Sequence, residues 1–416
     1  MRLVVQKYGG TSVGDAERIQ KVAQRLIETQ REGARVVAVV SAMAGVTDNL
    51  VNLAHAVSPS PSARELDLLL ATGENASSAL TAMAVNALGG KAISLTGSQA
   101  GVLTDATHLK ARIANISPRQ IHELLSDDYI VVVAGFQGQS AEGETTTLGR
   151  GGSDLTAIAL AGALNADACQ IFTDVDGVFT CDPRIVRDAQ KLDEIAYDEL
   201  LEMAGAGSKV MQSRAVEFAK KFGIEFEVRS SLKPVSGTVA KEETPNMEDV
   251  VVRGVSLERR QAKLTVSGVR DQPGIAAAIF STVAASHIVV DMIVQSAPTD
   301  GATDISFTIH QDELEDARKI LMPIVSQIGA SDLRTASGMA KLSVVGIGMR
   351  SHSGVAARLF ECLGRAGINI QLISTSEIKI ALVIDENDAE RAAQLTHAEF
   401  GLASLAPAAS ATRPLG

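Results

Sequence analysis

The chain has no tryptophan, and aromatic residues make up only 3 % of its 416 positions. So few flat side chains leave little to stack unpaired bases on and no aromatic belt for a membrane span. Positive charge is scarce too: 38 Lys and Arg stand against 49 Asp and Glu, a formal net charge of −11. That balance speaks against broad nucleic-acid or anionic-membrane binding, yet leaves room for a local basic pocket. Cysteine is rare. Cys169, Cys181 and Cys362 are an odd set without a C-x-x-C, so buried thiols in a reducing compartment are expected, with neither disulfides nor a zinc site. No apolar run is long enough to span a membrane, and Lys7 and two glycines break the N-terminal stretch that a secretory signal would keep apolar. A cytoplasmic protein is the expectation, with no nucleic acid and no membrane among its partners. The usual P-loop, G-x-x-x-x-G-K-[ST], is also absent.

What is present is globular in composition, 46 % hydrophobic and 21 % charged, with length for two or three domains. Near the N-terminus the apolar run Leu3–Gln6 leads into Lys7-Tyr8-Gly9-Gly10-Thr11-Ser12, and a helical stretch starts near Asp15. A strand, a lysine, a glycine turn and a helix start suit a phosphate: the backbone can approach closely and both helix and lysine attract an anion.

Strand and helix patterns alternate up to Leu232. Strands are expected at 3–6, 35–40, 92–95, 129–134, 168–172 and 224–228, and helices at 16–30, 64–88, 118–125, 154–164 and 208–222. This predicts a three-layer α/β/α sandwich around a mostly parallel sheet, with ligands beyond the carboxyl ends of the strands. Pro, Gly and charge without periodicity mark 233–249 as a linker. An internal repeat follows. Lys263-Leu264-Thr265-Val266-Ser267-Gly268 matches Lys341-Leu342-Ser343-Val344-Val345-Gly346, Gly274–Ala277 matches Gly354–Ala357, and Ile288–Ile293 matches Ile368–Ile373. Each copy reads strand, helix, strand, strand, helix: a small α+β, ferredoxin-like module at 250–338 and again at 339–416. The second copy lacks a last strand, which 250–257 can supply. The tail from Ala403 is expected to be loose.

Several groups at the sheet end can carry chemistry. In Gly149-Arg150-Gly151-Gly152-Ser153-Asp154 the arginine can hold a carboxylate in bidentate fashion and Ser153 is a natural N-cap. As plainly, this is a glycine-rich connector whose arginine faces solvent. Thr173-Asp174-Val175-Asp176-Gly177-Val178-Phe179 offers carboxylates and a hydroxyl to a nucleoside, with Asp182 and Arg184 following, or is simply a turn with Asx hydrogen bonds. Its D-x-D-G lacks the closing glutamate of a calcium loop. Lys209 stands at a helix start, unfavourable for a cation unless an anion is near. Glu74 interrupts an apolar helical stretch, where it can bind an ammonium or cap a second helix broken at Gly73. Together, two lysines, two arginines and several glycine turns make a phosphate-transfer inventory.

At these motifs, and at Val40-Ser41-Ala42-Met43-Ala44-Gly45-Val46-Thr47, the chain resembles the aspartate kinases of the amino-acid kinase superfamily, over nearly its whole length. The repeat resembles a pair of ACT domains. The resemblance implies transfer of the ATP γ-phosphoryl group to the β-carboxylate of L-aspartate, the entry step to lysine, threonine and methionine synthesis. It implies that Lys7 neutralises the phosphoryl group, that Asp154 orients Lys7, and that Mg²⁺ is held largely by ATP oxygens. By the same likeness Arg150 takes the α-carboxylate and Glu74 the ammonium, with Ser41, Thr47 and Ser153 lining the pocket. ATP falls to Gly9, Gly10, Thr173, Asp174, Phe179, Asp182, Arg184 and Lys209.

In the ACT pair Asp271, Gly274, Ile275 and Ala276 form a turn into a helix N-terminus that can receive an effector carboxylate. Asp291 can take its ammonium and Gln295 read its side chain, with Val290, Asn369 and Ile370 beside them. Lysine, with threonine, is the effector the resemblance implies, and self-association through the ACT modules follows. Met247 is placed to start a separate regulatory subunit. A kinase of glutamate or N-acetylglutamate, or a non-catalytic amino-acid sensor, is the competing reading.

Overall fold

Residues 3–5, 36–40 and 130–134 are almost unbroken apolar runs, the pattern of strands buried on both faces. Alternation still divides them. Leu3, Val5, Val37, Val39, Val131 and Val133 join one core cluster, and Val4, Val36, Ala38, Val40, Ile130 and Val132 join the other. In this computed structural model, residues 1–204, 211–242, 251–286, 288–297, 301–350 and 352–404 are described.

The first part of the chain runs β1 (Leu3–Tyr8), α1 (Ala16–Arg31), β2 (Arg35–Val40), α2 (Val46–Val57), α3 (Ala63–Ala87), β3 (Ala92–Leu95), β4 (Val102–Thr104), β5 (Ile113–Ile116), α4 (Arg119–Ser126) and β6 (Ile130–Ala134). It continues with β7 (Gln137–Gln139), β8 (Thr145–Thr147), α5 (Gly152–Ala163), β9 (Ala168–Thr173), β10 (Glu194–Ala196), α6 (Tyr197–Met203), α7 (Ser213–Phe222), β11 (Phe226–Ser230) and β12 (Thr238–Lys241). Among the described residues an eight-stranded sheet has the order β10-β12-β11-β9-β1-β2-β6-β3, parallel except for the β11–β12 pair. Residues of α4, α5, α6 and α7 cover one face, and α1 and α3 the other, giving the expected three layers. A small sheet, β5-β4-β7-β8, lies beside them.

Three local readings are corrected. The stretch 233–249 is not all linker, because Thr238–Lys241 is a strand of the large sheet, fixed by Thr238 Oγ1, which accepts from Val178 N–H at 2.8 Å. Four residues between Pro and Gly are too few to show alternation. Helix α3 does not break at Gly73. It runs unbroken for 25 residues, and the glycine is there because a Cβ would come within 2.9 Å of the Ala42 Cβ. The expected helix at 208–222 starts at Ser213 in the described residues, and 205–210 lie outside them.

The repeat forms β13 (Gly254–Arg270), α8 (Ile275–Ala285), β14 (Ile293–Gln295), β15 (Ala302–His310) and α9 (Leu314–Gln327), then β16 (Asp332–Val345), α10 (Val355–Arg365), β17 (Ile370–Thr375), β18 (Lys379–Asp385) and α11 (Ala389–Glu399). Its strands make one antiparallel sheet, β14-β15-β13-β16-β18-β17. The 17-residue β13 serves both copies: Gly254–Glu258 pair with Lys341–Val345 of the second, and Gln261–Arg270 pair with β15 of the first.

The second copy docks directly on the kinase part. His397 of α11 shares a buried 2.9 Å hydrogen bond with Thr180 Oγ1, and Val255 N–H donates to the Thr180 carbonyl at 2.7 Å. Glu199 accepts from Ile347 N–H at 3.1 Å and pairs with Arg253 at 3.3 Å. Cys181 and Val186 of the kinase part belong to the second copy's core. All three cysteines are buried and unpaired, with thiol pKa values pushed up by burial. Among the described residues no helix is long and apolar enough to cross a membrane.

Candidate active site

Lys7 lies inside β1, opposite Val39 and Ile171, and not in the turn after a shorter strand. It shares the face of Leu3 and Val5, so its side chain is directed toward α5. There Nζ meets Asp154 Oδ1 at 2.6 Å, both side chains nearly buried. The helix whose start faces Lys7 is therefore α5 and not α1. Helix α1 is closed by Asp15, whose carboxylate accepts from Arg18 N–H. Helix α5 is capped by Gly151 in the left-handed region at φ 70°, without a side-chain cap; Ser153 is the second residue of the helix and is not its N-cap. In its first turn Gly152 N–H and Asp154 N–H donate to the Gly149 and Gly151 carbonyls at 2.9 and 3.1 Å, and the helix dipole still places partial positive charge at this end. Glycine is required elsewhere by close approach. A Cβ on Gly10 would lie 2.7 Å from the Ala42 carbonyl oxygen, whereas one on Gly9 would stand at an ordinary contact distance of 3.5 Å from Lys7 Nζ.

Two cavities open at the carboxyl end of the sheet. One, of about 600 Å³, is lined by Lys7, Ser41, Thr47, Glu74, Arg150, Ser153 and Asp154, bringing together every residue expected to hold the amino acid. Glu74 is 4 % exposed. Its Oε1 accepts from Ala42 N–H at 3.0 Å, while Oε2 is buried with no partner. Burial raises the Glu74 pKa to about 7 against the opposing pull of the Ala42 N–H. A partnerless buried carboxylate oxygen is costly unless a ligand supplies a cation. The N-terminus of α2, capped by Gly45 without a side-chain bond, lies at the same cavity with Thr47 and Asp48.

The second cavity, of about 450 Å³, is lined by Thr173, Asp174, Phe179, Asp182 and Arg184, and also by Val255, Ser256 and Leu257. Arg184 is not free, since it forks onto Asp182 with contacts of 2.7 to 3.2 Å and holds that carboxyl below the usual carboxylate range. Gly9 N–H donates to the Phe172 carbonyl at 3.3 Å, so the turn after Lys7 lies beside the strand end that feeds this cavity. Lys209 lies outside the described residues.

Asp271, Gly274, Ile275 and Ala276 form the turn from β13 into α8, capped by Gly274 at φ 94° without a side-chain bond. The second copy repeats that cap at Gly354, also at φ 94°. Val290, Asp291 and Gln295 belong to the β14 edge, Asn369 and Ile370 to the β17 edge, and Met292 and Leu372 pack in one cluster. Asp291 does not simply face water. It accepts from Lys341 Nζ, which also pairs with Glu258 at 2.8 Å. Burial disfavours the Lys341 charge, but the two carboxylates outweigh it and raise the pKa. The repeat makes this reciprocal: Lys263, the counterpart of Lys341, donates at 3.3 Å to Gln371, the counterpart of Asp291.

Sequence reasoning missed Leu70, Leu109 and Lys110 in the first cavity, and 255–257 in the second, none of which lies in a recognisable motif. Phe136 falls in the glycine turn 135–138 after an expected strand, and Thr147 in the run 145–154 that leads into Arg150 and Asp154, but neither carries a signal for a role of its own.

Comparison with known proteins follows the same division. Residues 2–230 match the amino acid kinase family, and 264–322 and 342–400 each match the ACT domain. The chain is 50 % identical to the aspartokinase of Mycolicibacterium smegmatis over 97 % of both chains. It is 49 % identical to the aspartate kinase of Pseudomonas fluorescens over 97 % of this chain and 98 % of that one. It is similar in structure to E. coli aspartokinase III in complex with aspartate and ADP, and to the same enzyme in complex with lysine and aspartate. Each has a TM-score of 0.79 at 27 % identity, covering 96 % of this chain and 99 % of the other.

Proposed function

The chain belongs to the amino acid kinase family, among its aspartate kinases, and from that premise we propose how its residues divide the work. ATP gives its γ-phosphoryl group to the β-carboxylate of L-aspartate, forming 4-phospho-L-aspartate and ADP. The observation that carries this reading is Lys7, paired with Asp154 in the first cavity and lying beside β9, the strand whose end feeds the second. The attacking carboxylate is already ionised at neutral pH, so no strong base is needed. The obstacle is one anion approaching another, and positive charge set in place removes it.

Lys7 supplies that charge, and Asp154 fixes its position. Glu74 receives the substrate ammonium and Arg150 the α-carboxylate, with Ser41, Thr47 and Ser153 completing the pocket. The nucleotide lies against Gly9, Gly10, Thr173, Asp174, Phe179 and Asp182. Arg184 reaches a phosphate by exchanging Asp182 for it, and Lys209 completes the set. Among the described residues no three His, Cys, Asp or Glu side chains converge on a metal-sized site. Mg²⁺ accompanying ATP is held mainly by phosphate oxygens in this reading, where it adds charge neutralisation.

The ACT pair is the regulatory part, with lysine and threonine as effectors and self-association through the ACT modules. The enzyme works in the cytoplasm at the head of lysine, threonine and methionine synthesis. Met247, outside the described residues, is the start of a separate regulatory subunit; purification from the native source without a fragment beginning there removes that part. Only the first copy offers a carboxylate at the shared position, since Gln371 stands where Asp291 does. An effector ammonium there competes with Lys341. Asp291→Asn is accordingly expected to raise the lysine concentration for half-inhibition at least ~10-fold, as loss of a charge-assisted hydrogen bond does. A dose–response curve measures it, and an unshifted curve removes Asp291 from the effector site.

ADP release coupled to a second enzyme, run with aspartate, glutamate and N-acetylglutamate, tests the reaction. Turnover with aspartate alone is expected. Turnover with one of the others, or with none, selects a sibling kinase or a sensor.

A further inference from the structure

Lys110 lines the amino-acid cavity and, like Arg150 across the Gly149 turn, has no ion pair among the described residues. Its place is built with care. Leu109 is a non-glycine residue at φ 64°, and Phe136, on the same cavity, has φ 69°. Bulky residues hold such backbone only where their surroundings impose it, and such residues gather at functional sites.

The constraint on Leu109 is Asp67, fully buried on α3. Its carboxylate accepts from Leu109 N–H at 3.1 Å to each oxygen, from Thr147 Oγ1, and meets His108 Nδ1 at 2.7 Å. The next residue is fixed too: Ala111 N–H donates to the Thr147 carbonyl at 2.9 Å, and Arg214 donates to the Ala111 carbonyl at 2.6 Å. Gly149 makes room, since a Cβ there would come within 3.1 Å of the Leu109 carbonyl oxygen. A strained turn, multiply bonded to a buried carboxylate and ending in one lysine without an ion pair among the described residues, is costly as mere support.

We propose that Lys110 is a substrate-recognition residue for the carboxylate that Arg150 does not hold, and that Asp67 is the positioning residue that presents it. This rests on the aspartate kinase reading above. Aspartate brings two carboxylates and one ammonium. Glu74 answers the ammonium and Arg150 one carboxylate, while Lys7 is committed to Asp154 until phosphate arrives. Lys110 at the rim answers the other carboxylate during capture, before transfer.

Steady-state kinetics on the full chain, with aspartate and ATP varied separately, test this in Lys110→Ala, Lys110→Arg and Asp67→Asn. Lys110→Ala is expected to raise the aspartate KM about 10-fold, with kcat and the ATP KM within about threefold, the scale of one partly exposed charged contact. Lys110→Arg restores most of the aspartate affinity. Asp67→Asn raises the aspartate KM and leaves the ATP KM in place. An aspartate KM in Lys110→Ala equal to wild type overturns the proposal, and so does an equal rise in both KM values. Because Lys110 is exposed, its variants keep the fold and the test stands even where Asp67→Asn does not fold. Failure of the wild-type chain to phosphorylate aspartate is a different result, and defeats the reading beneath the proposal.

Discussion

Lys7→Ala is expected to lower kcat at least ~10³-fold while leaving the aspartate KM within a few fold. A single preorganised donor to a developing anion supports about 10²–10³ in rate, and a cation on a transferring phosphoryl group 10³ or more. In the proposed reaction Lys7 is both, and the cavity linings hold few substitutes: Arg184 is bound to Asp182, and Arg150 and Lys110 line the first cavity. The substitution also leaves Asp154 nearly buried without its partner. Thermal unfolding of Lys7→Ala beside the double variant Lys7→Ala/Asp154→Asn separates that cost from chemistry. The double variant is expected to regain stability and to remain inactive. Activity surviving in either variant at more than a tenth of wild type removes Lys7 from the transfer step.

Glu74→Gln carries the second large effect, an aspartate KM raised ~10²-fold or more. Truncating one partner of a desolvated charge pair costs about 2–5 kcal/mol, and a neutral amide cannot answer an ammonium with charge. The same residue ties function to pH. Its pKa in the folded chain, about 7, exceeds the ordinary 4.5, so the folded state holds a proton that the unfolded state has released between those values. Stability therefore falls as pH rises through that window, by an amount on the order of 3 kcal/mol, and the cost is fully present above pH 7. Aspartate is expected to reverse it by bringing an ammonium to Oε2. In Glu74→Gln the slope of stability against pH between 4.5 and 7 is expected to flatten, which denaturant titrations at three pH values measure. For the wild-type chain kcat/KM for aspartate is expected to fall as pH drops below about 7, because only the carboxylate captures the ammonium.

The parts of this site that were legible in the sequence are those whose chemistry is local. A lysine at a strand end, glycines that permit close approach, and Arg150 and Asp154 four residues apart are visible without a fold. The face that Lys7 presents follows from its register with Leu3 and Val5, but the helix it meets does not. Asp15 offered a helix start nearby in sequence, and α5, 145 residues later, proved to be the partner. Helix α2 was hidden because none of its residues is buried and it starts at a left-handed glycine, with no Ser, Thr, Asp or Asn cap. Lys110 was invisible for a further reason: its signal is a positive φ at Leu109 imposed by a carboxylate 42 residues away. Likewise Val255–Leu257 became a wall of the nucleotide cavity only through docking of the second ACT copy. The repeat revealed two modules, yet alignment could not tell that one strand, β13, serves both.

The central claim is that Lys7 acts between two separate cavities, its own for the amino acid and the neighbouring one, at the end of β9, for the nucleotide. Hydrogen–deuterium exchange with aspartate alone and with ADP alone tests it most directly. Aspartate is expected to slow exchange at 41–48, 109–111 and 149–154, and ADP at 9–12 and 173–184. Protection of 173–184 by aspartate alone, or of 149–154 and not 173–184 by ADP, would contradict the account.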